Sequence, residues 1–316
     1  MNEQSIVLIE GIIGSGKTTT AQWLYLHLLD SNLDAKWFSE EQLPHPIYDG
    51  SFNPRNLSSE ELANIYTSKW QSLIYTLPTS NHVRVLEGCG IDAVVMTLLL
   101  RDTPVKRIRQ FVRKVKETLE EAALHNVLLY QKDIDHAVQR SAIRRGVQWE
   151  MYIIDHMAST PYFQSRALCD LKGIVQFYKH HRELSDEIFD DLGWSTLLID
   201  SSNENWTSYR KQIAEYLDIA PYDPKPQPEE LLHPFIGRYH DAVNKRYWSI
   251  SLEKGCLVLN NQDRRRLVQK DSQSFCVEGK PIELVFEINV FGVAERIRYQ
   301  SALNDSTERN LTWIRV

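Results

Sequence analysis

The sequence predicts two domains of different fold class, an α/β domain followed by a small antiparallel β domain. In residues 1–220, short apolar segments alternate with helical patterns. This alternation is typical of a doubly wound parallel sheet with helices on both faces. In residues 231–316, short alternating strands and glycine turns replace that pattern, which predicts an antiparallel β barrel or sandwich.

A proline-rich segment separates the two patterns. Four prolines, Pro221, Pro224, Pro226 and Pro228, occur within eight residues. Proline cannot continue a helix and favours an extended spacer. A chain of 316 residues also exceeds the usual size of one domain. We therefore predict domains at 1–220 and 231–316, joined by a linker at 221–230.

The elements of the first domain follow from its apolar segments. Several of these segments are apolar on both faces, which suits parallel strands covered by helices. Ser58 followed by Glu61 predicts the start of a helix, and Asp133 or Asp135 is expected to cap the helix that follows. The five predicted strands are residues 5–10, 35–39, 83–87, 126–131 and 195–200.

Two hairpins and a last strand are predicted in the second domain. Residues 247–252 and 256–259 flank a turn that contains Gly255, and residues 283–288 and 294–299 flank a turn that contains Gly292. Residues 311–316 complete the pattern. The alternating positions assign four aromatic residues to the core of this domain: Trp248, Phe275, Phe286 and Trp313.

Composition and charge narrow the class of protein. Hydrophobic residues make up 42% and charged residues 25%, as in globular domains. A net charge of −6 without a long basic run argues against nucleic acid as a main partner. The apolar runs are too short to cross a bilayer and the N-terminus lacks a basic leader, so we expect a cytoplasmic protein without a membrane partner. The sequence leaves open whether the protein forms a homodimer.

The segment after the first strand has the pattern of a phosphate-binding loop. Its glycines allow backbone N–H groups to surround a phosphate, and the following helix adds its positive N-terminal end. We expect it to bind ATP with Mg²⁺, with Lys17 reaching the β- and γ-phosphates, Thr18 binding the metal and Thr19 contacting the α-phosphate. The predicted nucleotide-binding residues are Gly11, Ile13, Gly14, Ser15, Gly16, Lys17, Thr18 and Thr19, with Ile12 completing the pattern.

Acidic residues follow the second and third predicted strands. The carboxyl ends of parallel strands face the ligand crevice in such sheets. Glu40 or Glu41 could act as a general base on the acceptor, and Glu40 lies nearer the strand end. Glu87 could bind Mg²⁺ or orient the acceptor. The structural alternative for Glu40 and Glu41 is a solvated pair of loop residues. The alternative for Glu87 is a role in helix capping or in a salt bridge.

Two clusters on predicted helices have alternative interpretations. Arg140, Arg144 and Arg145 could form a lid that binds the moving phosphate, or an ordinary basic helix face. Tyr178, His180 and His181 lie on a helix with Glu183, Asp186 and Glu187, for which we expect a solvated face rather than a metal site. The four cysteines lack Cys-x-x-Cys spacing, so zinc is not expected.

With these motifs, the first 220 residues resemble the P-loop nucleoside and nucleotide kinases, especially the deoxynucleoside and thymidylate kinase group. The opening from Ile9 through Thr19 carries most of the likeness, including Glu10 before the first glycine. The resemblance implies a five-stranded parallel sheet of P-loop NTPase type, with Glu40 or Glu41, Glu87 and the three arginines in the positions of that group's functional residues. The chain departs at Gly88-Cys89-Gly90, where those kinases place an arginine.

The residues after 220 resemble the β-rich extension of some β-lactamase-like proteins. This likeness names no activity. Two functions therefore follow as expectations. The first is a kinase that moves the γ-phosphate of MgATP to a hydroxyl or phosphate of a small-molecule acceptor. Nucleosides and nucleotides are the acceptors expected first. The second is a nucleotide-binding switch whose β domain binds a protein or ligand.

Overall fold

The chain divides into two compact units in a computed structural model. One unit comprises Met1–Glu40 and His45–Tyr222, and the other comprises Glu41–Pro44 and Asp223–Val316. The structure describes residues 4–48, 57–76, 82–120, 122–193, 195–220, 227–241, 245–260, 264–302 and 311–316. Most of the predicted linker, residues 221–226, lies outside the described residues.

A five-stranded parallel sheet forms the centre of the first unit, which confirms the predicted α/β class. The strand order is β2-β3-β1-β4-β5. In β1, Ile6 and Leu8 belong to one apolar core, whereas Val7 and Ile9 belong to a second core on the opposite face. The strands are β1 Gln4–Gly11, β2 Asp34–Phe38, β3 His82–Glu87, β4 Leu124–Tyr130 and β5 Thr196–Asp200.

Helices cover both faces of this sheet because apolar side chains recur on one side of each. In α4, for example, Ile108, Val112 and Val115 are buried while the basic residues face outward. The described helices are α1 Lys17–Asp30, α2 Ser59–Tyr75, α3 Ile91–Leu100, α4 Val105–Leu119, α5 Ile134–Arg145, α6 Val147–Ala158, α7 Pro161–Ser165, α8 Leu171–Leu192 and α9 Trp206–Tyr216.

Two predicted helix starts are confirmed by their capping contacts. Ser58 Oγ accepts from Glu61 N, and the Glu61 side chain accepts from Ser58 N in return. Asp133 Oδ1 accepts from His136 N at 2.9 Å and so begins α5. Each cap satisfies a backbone donor that the first helical turn leaves unpaired. The second contact fixes the start of the helix that carries Arg140.

The second unit contains a closed eight-stranded antiparallel barrel, so the barrel rather than the sandwich is correct. Each strand pairs with its neighbours in chain order, and β13 pairs with β6 to close the sheet. The short helix α10, Glu229–Leu232, precedes it. The strands are β6 Gly237–Asp241, β7 Arg246–Glu253, β8 Cys256–Asn260, β9 Arg265–Gln269, β10 Ser274–Val277, β11 Ile282–Ile288, β12 Ala294–Ser301 and β13 Leu311–Arg315.

Aromatic side chains fill the barrel, as the alternating pattern predicts. Phe275, Phe286 and Trp313 are buried, and Trp248 is partly buried with its ring stacked 3.6 Å from that of Trp313. The turn between β7 and β8 has positive φ at Lys254 and Gly255, which suits a tight hairpin.

Four residues that follow β2 in sequence belong to the barrel unit. Leu43 N donates to Ala302 O at 3.0 Å, and Glu41 pairs with Lys280 at 3.7 Å. Among the helices that the structure describes, none has both the length and the apolar character needed to cross a bilayer. The cytoplasmic location stays a prediction.

Candidate functional site

The glycine loop, residues 11–16, joins the central strand β1 to helix α1. Gly14 and Gly16 have positive φ values of 75° and 93°. A Cβ atom at Gly14 would overlap Ser141 of α5, and one at Gly16 would overlap the Trp206 ring of α9. Only glycine therefore fits at these two positions, where the loop packs closely against two helices.

The remaining loop residues predicted to bind nucleotide fall into buried and partly exposed groups. Ile13 is partly buried against the apolar core. Ser15 is buried, and its Oγ has no hydrogen-bond partner within the described residues. Thr19 lies in the first turn of α1 and is partly exposed. Gly11 ends β1 with a φ of 137°.

Lys17 and Thr18 begin α1, and each contacts one of the predicted acids. Lys17 Nζ lies 3.8 Å from Glu40 Oε2 and 3.5 Å from Ile12 O. Thr18 Oγ1 donates to Glu87 Oε1. The structure therefore brings together four residues that the sequence assigned to one site, although they are up to 70 positions apart (residues 17 to 87).

Glu40 packs directly over the turn that follows β3. A Cβ atom at Gly88 would overlap Glu40 Oε2, so an arginine or any other side chain at position 88 would displace this carboxylate. Burial raises the pKa of the Cys89 thiol well above its ordinary value, and the carboxyl groups of Glu10, Glu87 and Glu40 raise it further. The turn thus has three acids around it.

The three predicted lid arginines have different partners. Arg140 Nη2 donates to Gly14 O at 3.1 Å, so this side chain contacts the glycine loop. The Glu204 carboxylate forms salt bridges with Arg140 Nη1 at 3.1 Å and with Arg144 Nη2 at 2.9 Å. The Arg145 guanidinium lies 5.0 Å from the centre of the Trp149 ring. Their spacing of four residues places Arg140 and Arg144 on one face of the helix, and both pair with Glu204.

Glu204 is a site residue that the sequence analysis missed. It lies four residues after the end of β5, at the same sheet edge as Glu40 and Glu87. The signal that could have found it is the one used for the other two acids, namely a carboxylate shortly after a parallel strand.

A buried polar cluster lies beside the glycine loop. Glu10 accepts from Asp92 N at 3.1 Å and from Ala93 N at 3.4 Å. Burial and the charge of Asp92 together raise the pKa of Glu10 to about 8. Glu10 therefore holds its proton to a higher pH than an exposed carboxyl group does.

Helix α8 completes this cluster, which corrects one expectation. Tyr178 and His181 are buried rather than part of a solvated face. His181 Nε2 lies 3.2 Å from Asp92 O, and Ser185 Oγ donates to Asp92 Oδ1 at 2.9 Å. The apolar positions between the acids of α8 face the core, and Tyr178 and His181 lie on that buried face.

The cluster forms one wall of a small cleft next to the loop. The enclosed space is about 10 Å³, which is about the room that one water molecule needs. It is lined by Gly11 and Ile12 of the loop, by Asp92, His181 and Arg182, and by Leu128, Leu129, Tyr130, Gln131 and Ile134 of β4 and the chain after it.

No protein-family model matches the chain. No curated protein matches it either.

Proposed function

We propose that this chain is an ATP-dependent small-molecule kinase, which moves the γ-phosphate of MgATP to an acceptor hydroxyl or phosphate. One observation carries the proposal. The pattern of residues 11–18 lies between a central parallel strand and a helix, and its Lys17 and Thr18 contact the two acids that follow β2 and β3. A glycine-rich turn without a ligand role would have no need of this convergence.

The glycine loop supports binding of the triphosphate. Its glycines permit the positive φ values that turn backbone N–H groups toward one centre, and the N-terminal end of α1 adds a partial positive charge. Lys17 would exchange its contact with Glu40 for the β- and γ-phosphates. This exchange would release the Glu40 carboxylate at the moment when ATP binds.

Thr18 and Glu87 fit a magnesium ion. Their hydroxyl and carboxylate oxygens lie together at the start of α1, and Mg²⁺ prefers oxygen ligands. The described residues hold no group of three or more His, Cys, Asp or Glu side chains that could bind a metal. Mg²⁺ sites of nucleotides use one or two carboxylates together with the phosphates. Bound Mg²⁺ would neutralise charge on the ATP phosphates.

Glu40 is the proposed general base. It lies 3.8 Å from Lys17 and against Gly88, whereas Glu41 belongs to the barrel unit and pairs with Lys280. A carboxylate in this position would take the proton from an attacking hydroxyl.

Arg140 and Arg144 are the proposed donors to the moving phosphate. Glu204 holds both, and Arg140 already contacts the loop through Gly14 O. Arginine suits this function because its planar group binds two phosphate oxygens at once. Arg145 follows on the same helix, and closure of α5 would bring it in.

The proposal is tested by incubating the protein with Mg²⁺ and γ-labelled ATP against pools of nucleosides, nucleotides, sugars and amino sugars. We expect a labelled product with wild type and none with Lys17→Ala, because the variant loses a phosphate ligand. Lys132→Ala is the matched control, since Lys132 is exposed and pairs with Asp200 at the end of the neighbouring strand β5. Equal ATP affinity of wild type and Lys17→Ala would overturn the proposal.

A nucleotide-dependent switch is the second candidate, and the separate barrel unit with its own core favours it. Release of inorganic phosphate without any labelled acceptor would support this function over the kinase. Protease sensitivity that does not change with nucleotide would count against it.

A further inference from the structure

The chain after β5 contacts the glycine loop at two places. A Cβ atom at Gly16 would overlap the ring of Trp206, so this part of the chain packs against the start of α1. Glu204, two residues earlier, pairs with Arg140, and Arg140 Nη2 donates to Gly14 O at 3.1 Å. Only one side chain therefore separates Glu204 from the loop on which the proposed triphosphate would lie.

Both oxygens of the Glu204 carboxylate contact arginines. Oε1 lies 3.1 Å from Arg140 Nη1 and 2.9 Å from Arg144 Nη2, and Oε2 accepts from Arg144 Nη2 at 3.2 Å. Arginine uses the same N–H donors for carboxylate and for phosphate oxygens. Glu204 and a bound phosphate would therefore compete for the same groups.

Arg140 is held from three sides. Besides Glu204 and Gly14 O, its Nη2 lies 3.4 Å from Gln131 Oε1. Gln131 is 3% exposed and donates in turn to Ser201 Oγ at 2.8 Å. The Arg140 side chain is itself only 14% exposed. Its removal from this position would leave buried polar groups without partners, which is costly, so Arg140 is a fixed residue of the site.

Arg144 is held by Glu204 alone among the residues that the structure describes. Its side chain is 61% exposed, and an exposed ion pair contributes little to stability. The contact also uses a single nitrogen, Nη2, for both carboxylate oxygens. The planar fork of arginine binds two phosphate oxygens through two nitrogens. A triphosphate therefore offers Arg144 a better partner than Glu204 does.

The charge of Glu204 acts against phosphate binding as well. Its carboxylate offsets the positive charge that Arg140 and Arg144 bring to this side of the loop. Negative groups placed close together repel each other. Glu204 therefore lowers the attraction of the site for a triphosphate for as long as it lies between the two arginines.

We propose that Glu204 regulates nucleotide binding by competing with the triphosphate for Arg144, while Arg140 stays on the glycine loop. The inference rests on the proposed function and deepens it, because it divides the lid arginines into a fixed and a mobile one. In the opposite arrangement Glu204 keeps its contact with Arg144 and orients it toward the phosphates. The two arrangements predict opposite effects of the same substitution.

The first test compares wild type with Glu204→Gln by equilibrium titration of the full chain with a non-hydrolysable ATP analogue and Mg²⁺. Glutamine keeps an oxygen that can accept from Arg140 and removes the charge. We expect the Kd to fall about threefold, within the range of an exposed ion pair. Glu215→Gln is the matched control, because Glu215 is exposed and pairs with Lys211 at 3.8 Å in α9. A Kd that stays or rises with Glu204→Gln, or an equal fall in the control, would overturn the inference.

The second test introduces Arg144→Gln into wild type and into Glu204→Gln. In wild type, Arg144 gives up Glu204 when it binds phosphate, so part of its contribution to affinity is offset. We therefore expect Arg144→Gln to raise the Kd of the analogue more in the Glu204→Gln background than in wild type. An orienting Glu204 predicts the reverse, and a smaller or equal rise in the double variant would refute competition.

A third measurement follows Arg144 in the wild-type protein. Its guanidinium resonance in ¹⁵N spectra is assigned by its loss in Arg144→Lys. Titration with the analogue and Mg²⁺ is expected to shift this resonance, whereas adenosine, which has no phosphate, should leave it in place. No shift at saturating analogue, or the same shift with adenosine, would contradict an exchange of Glu204 for phosphate.

The two proposals fail in different ways. Tighter analogue binding by Glu204→Gln without labelled product from any acceptor pool would support the competition and sink the kinase. Labelled product from wild type, together with weaker analogue binding by Glu204→Gln, would support the kinase and sink the competition.

Discussion

At the scale of single residues, the turn after β3 shows how the lack of a side chain positions an acid. Gly88 has a φ of 61°, and its Cβ position is filled by the Glu40 carboxylate. A larger residue at position 88 and Glu40 in this position exclude each other.

The substitution Gly88→Ala should therefore reduce turnover more than stability. The positive φ costs alanine about 1–2 kcal/mol, and the overlap displaces Glu40. We expect kcat of the proposed kinase to fall about tenfold or more with ATP affinity retained, as measured by steady-state kinetics and equilibrium binding.

Gly193→Ala is the control for this prediction. Gly193 has a φ of 57° and no atom within 4 Å of its Cβ position among the described residues. It should lose similar stability in chemical denaturation and keep wild-type kcat. Equal loss of kcat in the two variants would assign the effect to backbone strain rather than to Glu40.

At the scale of elements, Glu10 connects the end of β1 to the start of α3. Its carboxyl group accepts from two amides in the first turn of that helix, which the helix itself leaves unpaired. The pKa of Glu10 is raised to about 8, so the native state holds a proton that the unfolded chain releases near its ordinary value of 4.5. This contact makes the junction dependent on pH.

The sign of that dependence follows from linkage. Between pH 4.5 and 8 the native state binds more protons at Glu10 than the unfolded state does, so its contribution to stability falls as the pH rises. The slope is at most about 1.4 kcal/mol per pH unit for one proton. Below this window the contribution is fully present, and above it the contribution is lost.

Glu10→Gln should remove this slope, because the amide oxygen can still accept from Asp92 N and carries no charge. We expect the free energy of unfolding of the variant to fall less than that of wild type between pH 5 and 8, measured by urea denaturation at several pH values. Parallel curves for the two proteins would contradict a protonated Glu10. Glu60→Gln, at an exposed position in α2, is the control.

At the scale of the whole molecule, each unit has a hydrophobic core of its own. The sheet unit has one core on each face, and the barrel is filled by apolar and aromatic side chains. Because burial of apolar surface is the main source of stability, each unit has its own basis for folding.

A cavity in the barrel should therefore leave nucleotide binding intact. Phe286 is 0% exposed, and Phe286→Ala is expected to cost the barrel about 3–5 kcal/mol. Hydrogen exchange should show faster opening in β10 to β12 and unchanged protection in β1, β3 and β4, with ATP affinity retained. Phe291→Ala is the matched control, since Phe291 is 86% exposed at the adjacent turn. Loss of ATP binding in step with barrel opening would contradict independent cores.

The sequence by itself determined the elements whose signals are local. Apolar runs gave all five strands of the parallel sheet to within two residues, and capping residues gave the starts of α2 and α5. Alternation gave the aromatic core of the second unit, and the spacing in residues 11–18 gave the loop. These features depend on neighbours in the chain, so periodicity and residue type are sufficient to predict them.

Only the tertiary structure decided which distant side chains meet. It closed the second sheet into a barrel, paired Arg140 and Arg144 with Glu204, and buried His181 against Asp92. The helical pattern around His181 is compatible with either a solvated or a buried ring, because the burial of a helix face depends on what packs against it. Strand order and helix packing set those distances, and neither is written in local spacing.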